Sequence, residues 1–366
     1  ANDPQIDIVC ELMGGTKLAK RVTMAALKAG KIVVTANKAL LSECGEELFR
    51  TARENGGHIF FEASVAGGIP IIKALREGLV VNEFPLIYGI LNGTCNYILT
   101  RIEAEKKTFD EIVVDARRLG YVEADESLDL DGWDTAHKAA ILAWLAHGRW
   151  ISMKEMPVEG IRDVSLEDVE WAQRLGYKIK LLATITRDLK KGELFVSVHP
   201  TLVPTTLALS SVDGVFNGIS IHGDIVGESV LIGRGAGQDP TASAVISDIV
   251  DAAKHLVHII TPIEEPEGVE PLKLTPLAHV RRAFYIRMNV DDRPGVLSEV
   301  SSVLASHHIS IESVLQMPAS KKGGASLVLT THLSSEGAMQ EALRELGKQK
   351  SVNQKPFLLR IANFEN

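Results

Sequence analysis

At 366 residues, with 45% apolar and 23% charged side chains, the chain has the make-up of an ordinary globular protein of about two or three domains. A formal charge of −8 argues against a nucleic-acid partner, which draws a basic patch, and no apolar run approaches the ~20 residues that a membrane helix needs. Cys10, Cys44 and Cys95 form an odd, scattered set and the histidines show no metal-ligand spacing, which reads as a reduced, cytoplasmic protein without a disulfide or a zinc site.

The chain opens on a strand-like run at 6–12, a Met13-Gly14-Gly15 turn, a helix, and a β-branched run at 32–35 that reads as a buried parallel strand. Strand, turn, helix, strand is the later half of a dinucleotide-binding unit, and no Gly-x-Gly-x-x-Gly fingerprint stands before it. Lys38 follows the second strand at its carboxyl end, where ligands bind in open α/β sheets, although a lysine there is more often a solvated loop residue. Residues 61–70 are a Gly-rich turn that puts Pro70 at the first position of a helix. Residues 89–97 read as a strand turning into a helix N-terminus.

Between Gly120 and Lys138 the chain concentrates Glu123, Asp125, Glu126, Asp129 and Asp131 ahead of an apolar helix. Asp134, Lys138, Ile141 and Leu145 fall on one helical stripe, so the charged pair is expected to point inward. A surface pair at this spacing is common and contributes little. A buried one is rarely kept for stability, so inward placement points to chemistry. Lys138, in the first turn near the positive end of the helix and partly desolvated, is poised to exchange a proton, with Asp134 holding the amine. The acidic run suits a substrate carrying an ammonium group. A calcium loop is the rival, but its Asp-x-Asp-x-Asp-Gly spacing closed by Glu is not met. His137 falls on the solvent side of the helix.

Residues 233–241 form a second Gly-rich turn, ahead of a helix expected at 242–255 whose free N–H groups could meet an anion, but the turn is not the dinucleotide fingerprint. Four prolines interleaved with glutamates at 261–277 read as an extended linker. Beyond it the order is strand (283–290), turn (291–295), helix (296–308), strand (309–317), strand (325–333), helix (335–348) and strand (357–362), a ferredoxin-like βαββαβ.

These residues match a known family. Ala116, Gly120, Glu123, Asp125, then Asp129-Leu130-Asp131-Gly132-Trp133-Asp134 and Lys138, resemble the signature of homoserine dehydrogenases. Glu126 stands where the family usually has proline, which bears on the rigidity of the loop. Thr35-Ala36-Asn37-Lys38 is similar to the family's motif with a functional lysine. Residues 61–70 resemble the turn that holds a monovalent cation, which implies Glu62, Val65, Gly67 and Ile69 as ligands of sodium or potassium; a plain Gly-rich turn is the other reading. Residues 89–97 resemble the substrate-contacting stretch and imply Gly93 and Thr94. The 233–241 turn is similar to the segment that approaches the nicotinamide and implies Gly237. Asp291-Asp292-Arg293-Pro294-Gly295 resembles the entry turn of ACT domains, with Gly295 letting backbone N–H groups approach an amino-acid effector; a dimerisation module without a ligand is the alternative.

The resemblance implies an α/β chain with a partial Rossmann-type parallel sheet at 1–56, an α+β substrate and dimerisation domain at 57–260 whose last helix returns to the Rossmann part, a linker at 261–282, and a ferredoxin-like ACT domain at 283–366. Relative to the family, roughly the first seventy or eighty residues are expected to be missing, the size of a half-domain with its βαβ unit. The implied reaction is NAD- or NADP-dependent, reversible reduction of L-aspartate 4-semialdehyde to L-homoserine in threonine, methionine and isoleucine biosynthesis, with feedback by an amino acid such as threonine through the ACT domain. Lys138 would donate the proton, Asp134 would orient it and Lys38 would assist. Glu123, Tyr121, Asp129 and the Gly93–Thr94 backbone would hold the substrate, and Gly14, Gly15, Lys38 and Gly237 the dinucleotide. A homodimer or homotetramer is expected. Two rivals stand beside this: another semialdehyde enzyme of the same layout, and an ACT-containing sensor subunit without catalysis.

Overall fold

The β-branched run Ile32–Thr35 is buried along its whole length, as a central parallel strand must be. It is β2, pairing in parallel with β1 (Ile8–Glu11) and β3 (His58–Phe60) through crossover helices α1 (Lys17–Lys28) and α2 (Lys38–Asn55). Asn37 caps α2 by accepting from Leu40 N, and its Nδ2 donates to Met13 O and Gly15 O at 3.1 and 2.8 Å, which ties the two strand ends together. The computed structural model describes residues 1–119, 126–255, 272–316 and 324–364. Gly120, Tyr121, Glu123, Asp125 and most of the Pro-rich stretch lie outside these.

The chain then passes α3 (Ile71–Lys73), continued as a π-helical turn Ala74–Gly78, and enters a second sheet, 11-stranded among the described residues. Its first part is antiparallel: β4 (Leu86–Ile90) lies between β5 (Tyr177–Asp188) and β7 (Phe216–Gly223), with β6 (Glu193–Pro204) and β8 (Gly227–Arg234) outside them. Helices α4 (Gly93–Glu105), α5 (Phe109–Arg118), α6 (Ser127–Leu130), α7 (Trp133–His147) and α8 (Leu166–Arg174) fill the space between β4 and β5 in the chain. No helix among the described residues is long and apolar enough to cross a membrane.

Helix α9 (Gln238–His255) starts earlier than its apolar pattern indicates, because Gly237, at φ 116°, makes the turn and Thr241 N already donates to Gly237 O at 3.1 Å. Pro240 is tolerated there, since N–H groups in a first turn lack helical partners. Helix α9 packs against the residues that follow β3: Asp248 Oδ2 accepts from Glu62 N at 2.8 Å and Ser247 Oγ from Lys73 Nζ at 2.6 Å.

After the short β9 (Lys273–Leu274), the last domain runs β10 (Arg281–Val290), α10 (Val296–Ser306), β11 (Ile311–Gln316), β12 (Ala325–Thr331), β13 (Ser334–Ser335), α11 (Glu336–Leu346) and β14 (Phe357–Ile361). The order β11-β12-β10-β14 is ferredoxin-like, as predicted. Phe284, Ile286 and Met288 of β10 enter this domain's own core. The alternate residues Tyr285 and Arg287 reach across to Asp168 of α8, at 3.0 and 2.6 Å. The domain is also fused to the antiparallel part of the sheet, because β14 pairs in parallel with β6 at Arg360–Thr201 and Ile361–Leu202. The 272–282 part of the expected linker is likewise pinned down, β9 pairing with β6 at Glu193 and Leu194.

Candidate functional site

Helix α7 leaves Gly132, which sits at φ 86° and so frees the chain to turn directly into the helix. Nearly every residue of the helix is buried, which carries Asp134 and Lys138 inward, each 8% exposed. Lys138 Nζ donates to Asp134 Oδ2 and to Leu91 O, both at 2.7 Å. The other oxygen, Asp134 Oδ1, meets Lys38 Nζ at 3.0 Å across the gap between the two sheets. One carboxylate thus joins the lysines that the sequence singles out a hundred residues apart.

Asp129 enters the same group through Asn92. The Asn92 Nδ2 donates to Asp129 Oδ1 at 2.7 Å and to Asp134 Oδ2 at 2.9 Å, while its Oδ1 accepts from Cys95 N at 2.8 Å and so caps α4. Gly93 and Thr94 are the first residues of α4. A side chain at Gly93 would stand 2.7 Å from Val215 O, which is why glycine is needed there. Asn92 is the residue that sequence reasoning missed. Asn ahead of Gly-Thr at a strand-to-helix boundary signals a cap, but nothing local shows that its amide spans two carboxylates.

Electrostatics sort the two acids. Burial pushes the Asp134 carboxyl up, but Lys138, Lys38 and the hydrogen bonds from Lys138 and Asn92 outweigh it and hold the group well below the usual carboxylate range. Asp129 moves the other way: burial raises it, the Asn92 hydrogen bond opposes the rise, and the Asp134 charge adds to it. His137 is half-buried, not solvent-facing as its helical position indicates, since α7 lies between the two sheets. Burial lowers its imidazole, with Asp134 opposing.

Lys38, Asp134 and His137 border a cavity of about 600 Å³ that extends to Met13, Gly14, Gly15 and Asn37 at the carboxyl ends of β1 and β2. A Cβ at Gly14 or Gly15 would meet nothing within 4 Å, so the turn leaves room for a ligand to lie against its backbone. Glu126 is held by ionic clamps: its carboxylate accepts from Arg117 Nε at 2.9 Å and Arg162 Nη1 at 3.1 Å. Burial opposes these arginines, which nevertheless hold Glu126 below its ordinary value.

Glu62, Val65, Gly67 and Ile69 share one turn. The Glu62 carboxylate is 4% exposed and accepts from Ile72 N and Lys73 N, both at 2.9 Å. Burial lifts it to about 7 against those hydrogen bonds. Ile69 O accepts from Ile71 N at 2.8 Å, and a Cβ at Gly67, at φ 44°, would lie 2.6 Å from Gly235 O. This turn therefore packs against the segment leading to Gly237. No cluster of three or more His, Cys, Asp or Glu among the described residues could hold a metal ion. Gly295, at φ 93°, opens α10.

The chain carries three family matches: "Homoserine dehydrogenase" over residues 70–250, "Homoserine dehydrogenase, NAD binding domain" over 1–62, and "ACT domain" over 284–350. It is 41% identical to the homoserine dehydrogenase of Synechocystis sp., covering 98% of this chain and 84% of that protein. The chain belongs to the homoserine dehydrogenase family. Among solved structures, the homoserine dehydrogenase of Thiobacillus denitrificans superposes with a TM-score of 0.94 at 39% identity, over 100% of this chain and 84% of that one. A hyperthermophilic archaeal homoserine dehydrogenase in complex with NADPH matches at TM-score 0.60 and 32% identity, covering 70% of this chain and 73% of that one. As a homoserine dehydrogenase this chain is an NAD(P)-dependent oxidoreductase acting on small molecules, and its ACT domain is of the kind that takes small amino-acid effectors. A sensor without catalysis and a different semialdehyde enzyme are thereby set aside.

Proposed function

We propose that the Asp134 group is where L-homoserine and L-aspartate 4-semialdehyde are interconverted. The observation that carries this is the single buried carboxylate joining Lys138 at 2.7 Å and Lys38 at 3.0 Å beside a cavity shared with the nucleotide-side turn. When bound, NAD(P) supplies or accepts the hydride at the substrate carbon. Lys138 gives a proton to the forming hydroxyl oxygen in reduction and takes it back in oxidation. Two of its three N–H groups are directed to Asp134 and Leu91, which leaves one for the substrate. Asp134 orients both lysines, and Lys38 stabilises charge on the same oxygen. Asp129, with Gly93 and Thr94 at the start of α4, holds the amino-acid end together with Glu123 and Tyr121. Gly14, Gly15, Lys38 and Gly237 hold the dinucleotide.

Further parts of this reading have their own support. A sodium or potassium ion at Glu62, Val65, Gly67 and Ile69 is favoured by the buried Glu62 carboxylate in the same turn. Threonine as the effector, entering at Gly295, is favoured by the open space around that glycine, where a Cβ would meet nothing within 4 Å. A homodimer or homotetramer is favoured by the edge strand β8, where Ile232 is 54% exposed. A cytoplasmic location is favoured by three free cysteines. The domain limits are taken as 1–56, 57–260, 261–282 and 283–366.

The test is homoserine-dependent NAD(P)H formation. Lys138→Ala is expected to lower kcat by about 10²–10⁴-fold while NADPH still binds. Turnover equal to that of the parent protein would remove Lys138 from the acid–base role.

A further inference from the structure

Asn217, in β7, is 1% exposed, and neither its Oδ1 nor its Nδ2 has a hydrogen-bond partner among the described residues. Buried side-chain polar atoms are nearly always paired, and an unpaired amide is costly where an apolar side chain of similar shape would serve. The observation calls for a partner gained in another state of the protein.

Two glycine backbones, Gly235 and Gly93, face this amide, and a third, Gly67, packs on Gly235. A Cβ on Gly235 would stand 2.0 Å from both Cγ and Nδ2 of Asn217, so the carboxamide lies directly against that backbone. A Cβ on Gly93 would come within 3.7 Å of Asn217 Oδ1, and one on Gly67 within 2.6 Å of Gly235 O. Gly93 follows Asn92, whose amide bridges Asp129 and Asp134, so Asn217 adjoins the helix start that serves the proton-transfer group. Gly235 leads through the exposed Ala236 and Gly237 into α9, which packs back on Glu62 and β2 of the nucleotide-binding part.

The strand just before Asn217 is held by a fully paired polar network. Lys180, 1% exposed, donates to Asn96 Oδ1 at 3.0 Å, Val212 O at 2.6 Å and Asp213 Oδ1 at 2.9 Å. Asn96 Nδ2 donates in turn to Val212 O and Phe216 O, both at 3.0 Å.

We propose that Asn217 is a positioning residue for the dinucleotide: its carboxamide pairs with the backbone of the Gly235–Gly237 turn when that turn settles onto bound NAD(P). This deepens the dehydrogenase reading above and rests on it. Asn217 acts through the turn, since its own polar atoms are shut away from any ligand.

Two full-chain variants test it. Asn217→Leu keeps the shape and deletes the amide, and Asn217→Ala deletes it without bulk against Gly235. Melting of the ligand-free protein and NADPH binding, followed by nucleotide fluorescence, are measured beside homoserine oxidation. At least one variant is expected to melt no lower than the parent, because an unpaired amide has been removed. In the same variant the NADPH dissociation constant and the KM for NADP rise about tenfold, as expected for lost hydrogen bonds. Variants that melt lower yet bind NADPH as the parent does would make Asn217 an ordinary structural residue and overturn the proposal. A parent that binds NADPH but does not oxidise homoserine would sink the dehydrogenase reading alone, and the NADPH comparison would still decide Asn217.

Discussion

Asp134 is the residue on which the site turns, because each of its oxygens faces a different lysine and both lysines sit on different elements. Replacing it with asparagine removes both ion pairs and leaves Lys138 buried without its counter-charge. Asp134→Asn is expected to cost roughly 3–5 kcal/mol in a urea titration and to lower kcat at least about a hundredfold. The folded carboxyl lies below its ordinary value of 3.8, so its stabilising contribution is complete above that pH and is lost only as pH falls through the folded value. Acid loss of activity well above pH 3.8 therefore belongs to another group, and Asp129, which burial raises, is the candidate. At this scale the sequence was informative where periodicity spoke: Asp134 and Lys138 on the apolar stripe do point inward. It was silent on Asn92, since bridging two carboxylates depends on two helices meeting.

Among the elements, α7 shows how a helix meant to be buried handles its polar groups. His147 ends it, and both ring nitrogens are closed off from solvent without a hydrogen-bond partner among the described residues. Burial, helped by Arg187, lowers the imidazole to about 3, and this outweighs the helix C-terminus, which favours a positive charge. An unfolded chain takes up a proton near the ordinary value of 6.5 while the folded chain refuses it, so stability falls as pH drops from about 6.5 toward 3. His147→Phe is expected to flatten that slope between pH 7 and pH 5, and an unchanged slope would place the loss elsewhere. On α4, Asn92→Ala deletes the cap, worth about 1 kcal/mol, and also frees Asp129 from Asp134. Its expected signature is a fall in kcat larger than so small a loss of stability would produce.

On the scale of the whole molecule, the ACT domain is a continuation of the catalytic sheet and not a module on a tether. Besides the pairing of β14 with β6, two buried charge groups fasten it. Asp168, fully buried, accepts from Tyr285 Oη at 3.0 Å and from Arg287 Nε at 2.6 Å. Arg360, 1% exposed, donates to Glu159 Oε1 at 2.8 Å and to Glu336 Oε2 at 3.3 Å. Asp168→Ala strands Arg287 and Tyr285 in the interface and is expected to destabilise the protein by roughly 3–5 kcal/mol. Faster hydrogen exchange in β10 and α8 than elsewhere is the matching observation; uniform protection would show that the domains stay docked without it. Strand β6 thus carries both the pairing with β14 of the ACT domain and the bridge from Val198 to Val158.

The ferredoxin-like order, the buried parallel strand at residues 32–35 and the inward lysine of α7 were all legible in the sequence, because each follows from a local period, a turn residue or a β-branched run. The meeting of Lys38 with Asp134, the double duty of Asn92 and the parallel seam between β6 and β14 were not. Each joins segments far apart in the chain, and only the packing of the two sheets around α7 brings their polar groups within hydrogen-bond reach.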